Sequence, residues 1–178
     1  FNGAESNDTI WEISGIDAKP HAFINMGKYK LPTEFESWYS WDAFEKNADK
    51  YWRVSSVTED EHYFFLLSLN RSFTEKVINA FFKKTIKYVV YDKKKKKGFV
   101  AKDKNGLKIT DDILGGASIW PRWITNDYYI DTIEAHELME QIESGEYEPS
   151  ESLKDLLSRI GENTNQLIVL CHIKQSIQ

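Results

Sequence analysis

The sequence predicts an all-β protein of antiparallel sheets, with a pair of α-helices inserted near its C-terminal end. Short runs of alternating or continuous apolar residues recur along the chain and are separated by turn residues. Aromatic residues, which favour strands, make up 14% of the chain. Apolar residues at helical spacing over about 135–161 predict the helix pair. Spaced hairpins with a helical cover are typical of a propeller, a sandwich or a barrel.

The composition indicates one globular domain over residues 1–178. The chain has 41% hydrophobic residues, enough to bury a sizeable core. Its net charge of −5 argues against nucleic acid as a partner. The single cysteine, Cys171, excludes an intrachain disulfide, and we expect an inert, buried thiol. His172 follows it, but adjacent side chains of a strand point to opposite faces.

The N-terminal half is predicted to consist of strands joined by tight turns. Alternating residues predict a hairpin from Thr9–Ile13 and His21–Met26, turning at Gly15–Asp17. A further strand is expected at Tyr51–Thr58. The run Tyr63–Leu69 has apolar residues on both faces of a strand, which predicts a central strand.

Two stretches between these strands have a helical spacing of aromatic or apolar residues. Trp38, Trp41 and Phe44 share one helical face, for which core packing is the favoured interpretation and an aromatic ligand platform the alternative. Ser72–Lys84 also fits a helix, without excluding other structure.

Five consecutive lysines, Lys93–Lys97, lie between the predicted strands Ile86–Tyr91 and Phe99–Lys102. Such a run can bind an anionic surface, with strong salt dependence. In an acidic protein we favour a solvated hairpin tip, kept polar against edge pairing.

The helix pair has clear local signals. Ala135–Ser144 carries its apolar residues on one face and ends before Gly145, a suitable residue for a helix C-terminus. Pro149 and Ser150 open the second helix, which Gly161 stops. An apolar strand, Gln166–Ile173, is expected to follow.

The candidate site lies in the stretch 111–134, which contains the only Gly-Gly pair of the sequence. Arg122 is flanked by Trp120 and Trp123, and such residues anchor interfaces or stack on sugars and cations. The alternative, which we favour, is that the tryptophans pack inside the fold and Arg122 pairs with a local carboxylate.

Acidic residues of the same stretch are candidate ligand-binding, metal-binding or catalytic groups. Asp111 and Asp112, beside the glycine pair, could bind a ligand or Ca²⁺, although turn capping is the favoured interpretation and no metal site is predicted. Asp131 and Glu134 differ by three positions, so they face opposite sides of a strand and cannot act as a glycosidase pair. The remaining candidate, Asp127, lies in the turn before that strand. No catalytic residue is assigned.

Five short motifs resemble the six-bladed β-propeller lipoproteins of Bacteroides and related bacteria, a largely uncharacterised family. They are "DTIWEI" at 8–13, "GKYKLP" at 27–32, "YDKK" at 91–94, "DDxLGGxxIWP" at 111–121 and the tail 165–174. The family often has Asn at position 111, Asp at 114 and Phe at 119, where this chain has Asp111, Leu114 and Ile119.

The resemblance implies that the chain forms about three blades, the C-terminal half of a six-bladed ring. An open half-ring exposes two blade faces, so we expect either an unstable piece or closure by a second copy as a homodimer. A shorter natural relative with a different closure is an equal alternative. It also implies an exported protein, anchored at the outer membrane or cell surface.

The expected function is a non-enzymatic binding or scaffold module, with a glycan, a peptide or a partner protein as ligand. The alternative is a glycan-active hydrolase or lyase with its site in the propeller channel. Trp120, Arg122, Trp123, Asp111 and Asp112 are the predicted ligand-binding residues, and no cofactor is expected apart from the Ca²⁺ considered above.

Overall fold

The structure is a computed structural model. It describes residues 8–30, 32, 50–70, 86–101, 119–145, 147–161, 164 and 166–172. By their contacts the residues form two compact units, Phe1–Val57 with Leu66–Lys87 and Thr58–Phe65 with Tyr88–Gln178. The described strands form three sheets, and two helices lie near the C-terminal end. The predicted all-β class with a late helix pair is therefore confirmed.

The first sheet is an antiparallel hairpin of β1 (Thr9–Ser14) and β2 (Asp17–Phe23). Its loop consists of Gly15 and Ile16, and Gly15 has a φ of 63°, which suits glycine in a two-residue hairpin loop. This tight loop starts β2 at Asp17, four residues earlier than the sequence predicts. The strand includes Pro20, which the unpaired side of an edge strand tolerates.

The second sheet has four strands in sequential order: β3 (Trp52–Glu59), β4 (Tyr63–Asn70), β5 (Ile86–Asp92) and β6 (Lys97–Val100). The β4 strand is internal and buries Phe65, Ser68 and Asn70. Its position confirms the expectation from its apolar run.

The β5–β6 connection is the lysine-rich hairpin. The Asp92 Oδ1 atom accepts a hydrogen bond of 2.7 Å from the backbone N–H of Lys95. Lys96 adopts the left-handed region with a φ of 53°. These features define a turn that is closed by the paired residues Asp92 and Lys97. They confirm the predicted hairpin.

The third sheet contains β7 (Trp123–Ile124), β8 (Tyr128–Ile133) and β9 (Leu167–His172), with β8 in the middle and both pairings antiparallel. The Thr125 Oγ1 atom shapes the β7–β8 turn by accepting hydrogen bonds from the backbone N–H groups of Asp127 and Tyr128, at 3.3 and 3.0 Å. The predicted turn at Asn126–Asp127 is thereby confirmed.

Two helices connect β8 to β9: α1 (Ala135–Glu143) and α2 (Glu151–Ser158). Their buried residues Leu138 and Leu153 form a cluster, packed by the partly buried side chains of Ile133, Ile142, Tyr147, Leu157 and Leu167. Gly145, just after α1, has a φ of 76°, as expected for its helix-ending role. In the described part of the chain, no helix has the length and apolarity that crossing a membrane would require.

Candidate functional site

Asp131, on β8, is a buried carboxylate that organises the Trp120–Arg122 segment. Its side chain is 3% exposed. Its Oδ2 atom accepts a hydrogen bond of 2.8 Å from the Trp120 backbone N–H. Its Oδ1 atom accepts one of 2.8 Å from the Thr132 backbone N–H and lies 2.8 Å from the Arg122 Nε. These contacts satisfy a carboxylate that would otherwise be costly to bury.

The Trp120 indole lies in an aromatic core, not on a surface. Trp120 is 4% exposed, and Pro121 is fully buried. The ring centroids of Phe65 and Tyr88 lie 5.7 and 4.8 Å from the Trp120 ring. Phe65 also meets Tyr129 edge-on, with 5.2 Å between centroids. The segment is therefore fixed by ring packing on one side and by Asp131 on the other.

Burial changes the acidity of two tyrosines in this core. Desolvation raises the pKa of Tyr88; the Arg122 guanidinium opposes this rise, and the Asp131 carboxylate adds to it. Desolvation also raises the pKa of Tyr129, and the hydrogen bond that its hydroxyl donates to Asp60 adds to the rise. Both phenols therefore stay protonated well into the alkaline range.

Arg122 combines a fixed backbone with a half-exposed side chain. Its N–H donates to the Ile130 carbonyl at 3.0 Å, and its own carbonyl accepts from the Thr58 hydroxyl at 3.4 Å. The side chain is 54% exposed and pairs with Asp131. The guanidinium is thus held beside a carboxylate, as the alternative interpretation of the sequence expected, while part of it contacts solvent.

Trp123 begins a different surface, on the outer side of the third sheet. Directly paired residues of antiparallel strands share a face, and alternate residues of one strand do so as well. Trp123 pairs with Ile130 and Ile130 with Leu170, Tyr128 pairs with His172, and Thr132 with Ile168. We call this set the open face: Trp123, Tyr128, Ile130, Thr132, Ile168, Leu170 and His172.

The open face is largely apolar, and five of its seven residues are exposed, while Ile130 and Thr132 are partly buried. Ile168 is 69%, Leu170 58%, Trp123 54% and Tyr128 38% exposed. The Tyr128 and His172 rings meet edge-on at 5.4 Å, which fixes both side chains on the surface. The opposite face of the same sheet includes Asp131 and the helix-packed residues Ile133 and Leu167. One face of this sheet is thus covered within its own unit and the other is not.

The predicted site residues therefore divide between two places. Trp120 and Arg122 belong to the Asp131 network, and Trp123 belongs to the open face. Asp111 and Asp112 lie outside the described residues, and so do the Trp38–Phe44 cluster and the Ser72–Lys84 stretch. Ligand binding by the five predicted residues stays a prediction.

Other candidates from the sequence have structural partners. Glu134 accepts a hydrogen bond from the Gln166 side chain. Cys171 is partly buried and pairs with Tyr129, on the covered face, while His172 lies on the open face. Among the described residues, no group of three or more His, Cys, Asp or Glu side chains is arranged to hold a metal ion.

The lysine run is not uniform. The Lys93 ammonium lies 2.5 Å from Glu59, 2.6 Å from the Asp60 carbonyl and 4.6 Å from the Phe64 ring centroid. Lys95 pairs with Asp92 at 3.4 Å. Two of the five lysines are thus engaged within the fold, which weakens the run as an anion-binding patch.

Sequence reasoning did not predict the open face. The β9 sequence LIVLCH is apolar at five of six positions, so its pattern does not distinguish a covered face from an exposed one. The signal that could have revealed it is the pairing of β9 with β8, because that register sets Leu170 beside Ile130 and so in one row with Trp123.

The fold is similar to that of a protein of known structure. A crystal structure of a Bacteroides fragilis protein inferred to be exported matches with a TM-score of 0.57 and 18% identity. The match covers 95% of this chain and 46% of that one, so this chain spans about half of its neighbour's length. None of the curated proteins matches significantly.

A family model matches residues 5–172, nearly the whole sequence. The expectation of an uncharacterised family is confirmed at this level. The chain belongs to the family described as a domain of unknown function, DUF4934.

Proposed function

We propose that this chain is a non-enzymatic binding or scaffold module of an exported bacterial protein, and that it contacts a partner through the open face. The observation that carries the proposal is the uncovered side of the third sheet, where Trp123, Ile168 and Leu170 are each more than half exposed. A sheet with one apolar face against solvent is unusual unless another molecule or segment covers it.

The composition of the open face supports a protein partner over a glycan. The cores of protein interfaces are rich in aromatic and aliphatic residues and poor in charged ones. The open face has Trp123 and Tyr128 beside Ile130, Ile168 and Leu170, and none of its residues is Asp, Glu, Lys or Arg. Sugar sites combine an aromatic platform with several polar groups, and here the polar side chains are Thr132 and His172.

The Asp131 network supports binding over catalysis. A general acid or base must reach a substrate proton. Asp131 is instead 3% exposed, and both of its oxygens are engaged by Trp120, Thr132 and Arg122. Its geometry fixes the segment that leads into Trp123, so its role in the proposal is to position the open face.

Export, surface anchoring and the propeller arrangement are part of the same proposal. Export is supported by the inference made for the Bacteroides fragilis neighbour, whose fold the chain shares over 95% of its length. The chain spans 46% of that neighbour, and in the proposal it forms about three blades of a six-bladed ring. The activity of the whole protein would then depend on a complete ring.

The test is a selection of displayed peptides and an array of bacterial and host glycans against the purified chain. We expect enrichment of peptides with alternating apolar residues, whose binding falls at least about tenfold with Trp123→Ala. The matched control is Trp11→Ala, since Trp11 is 47% exposed in the other unit. Selected peptides that bind the Trp123→Ala variant normally would overturn the proposal. Glycan binding that is lost with Trp123→Ala would show instead that the open face binds a carbohydrate.

A further inference from the structure

We infer that the occupant of the open face is the same face of a second copy of this chain, so that two third sheets pack together in a symmetric dimer. The inference rests on the proposed function in that it takes the open face as a contact surface. Two sheets pack face to face at a separation of about 10 Å, with the side chains of their inner faces interdigitated. A two-fold axis would bring an identical set of residues to each side.

The charge distribution allows this contact between two acidic copies. Each copy has a net charge of −5, so most approaches bring like charges together. The seven residues of the open face include no Asp, Glu, Lys or Arg, and the buried Asp131 lies on the opposite side of the sheet. The open face is therefore a surface that can meet itself without placing like charges in contact.

The size of the open face sets the expected strength. The β8 and β9 strands have six residues each and β7 has two, so the face spans at most roughly 14 by 20 Å. This area is well below the ~800 Å² per partner of a standard stable interface. The side chains of Trp123, Ile168 and Leu170 extend this area but do not make it large. The dimer is therefore weak, and its fraction rises with protein concentration across the micromolar range.

Sedimentation equilibrium between about 10 and 500 µM tests the inference. We expect the mass to rise from 20.8 kDa towards twice that value. Leu170→Glu places two negative charges in the interface and should weaken association by about tenfold or more. The control, Leu156→Glu, alters a leucine that is 42% exposed on α2 and should leave association unchanged. A mass of 20.8 kDa at every concentration would overturn the inference.

A charge-exchange pair then identifies the surface. Leu170→Glu and Leu170→Lys copies should each associate at least about tenfold more weakly than wild type. An equimolar mixture should associate more strongly than either variant alone, because opposite charges then meet in the interface. Circular dichroism of each variant confirms that it folds. If the wild-type chain dimerises but the mixture does not exceed either variant alone, another surface is responsible. If the wild-type chain is monomeric, the dimer is excluded. The peptide selection with Trp123→Ala then still tests the proposed function separately.

Discussion

Asp131 shows how one side chain acquires a role that its sequence neighbours do not predict. The spacing from Glu134 rules out a joint catalytic role, as the sequence indicates. Its actual partners are the backbone of Trp120, eleven positions away, and the Arg122 guanidinium. Because a backbone N–H leaves no trace in the residue pattern, these contacts become visible only when β8 and the preceding segment are placed together.

Asp131→Asn should destabilise the protein by about 2 kcal/mol. The asparagine side chain would keep one acceptor oxygen. Its NH₂ group would face a backbone N–H, of Trp120 or Thr132, that now donates a hydrogen bond to the carboxylate. The Arg122 side chain is 54% exposed, so solvent limits the cost of losing that ion pair. Urea unfolding measures the change. Asp127→Asn, at an exposed turn residue, should shift the free energy of unfolding by less than about 0.5 kcal/mol.

Tyr129 should make the protein sensitive to alkali. Desolvation, with the hydrogen bond to Asp60, raises its folded-state pKa above the usual 10.0. The folded state then holds this proton more tightly than the unfolded state. The resulting stability is complete below about pH 10 and is lost as the pH rises from there towards the folded-state pKa.

Urea midpoints between about pH 8 and pH 11 test this expectation. The wild-type midpoint should fall over the upper part of the range, and Tyr129→Phe should flatten that fall because its ring cannot ionise. Tyr29→Phe removes a phenol hydroxyl from a half-exposed position in the other unit and provides the control. Equal slopes in wild type and Tyr129→Phe would contradict the assignment.

At the level of elements, the helices are the part of the fold that the sequence predicts best. The α1 helix starts at the expected Ala135, and Ser150 caps α2. Their signals are local: apolar spacing, a capping residue and a terminal glycine all lie within one or two turns. The first hairpin was predicted with less success, because the start of β2 depends on the loop conformation of Gly15 and Ile16 and not on apolar alternation.

Ser150→Ala should lower the free energy of unfolding by about 1 kcal/mol. The Ser150 Oγ accepts a hydrogen bond of 3.3 Å from the Leu153 backbone N–H, and Leu153 is one of the two buried residues of the helix-pair cluster. Loss of the cap therefore loosens a turn that contributes to the core. Ser152→Ala, an exposed substitution in the first turn of the same helix, should be neutral or slightly stabilising. Equal thermal unfolding of both variants would show that the cap contributes nothing.

The open face marks the limit of what could be predicted about the site. The sequence predicts Trp123 as a ligand-binding residue and groups it with Trp120, because the two lie three positions apart. A buried Pro121 and a half-exposed Arg122 intervene, and the chain passes from the aromatic core to the outer side of the sheet. A surface assembled from three strands cannot be deduced from one of them.

At the scale of the whole molecule, two surfaces compete as the contact region, and salt distinguishes them. The open face has no formal charge, whereas each copy has a net charge of −5 that opposes association. Salt screens this repulsion and strengthens apolar contacts. Association through the lysine hairpin would respond in the opposite way, because Lys94, Lys96 and Lys97 would lose their attraction to an anionic surface.

We therefore expect the dimer fraction to increase when NaCl is raised from about 20 to 500 mM at constant protein concentration, over which the Debye length shortens from roughly 20 to 4 Å. Light scattering measures it. Replacing Lys94, Lys96 and Lys97 with glutamine should preserve the direction of the salt response, because these residues do not belong to the open face. A dimer that dissociates as salt rises, and that the triple glutamine variant abolishes, would assign the contact to the hairpin.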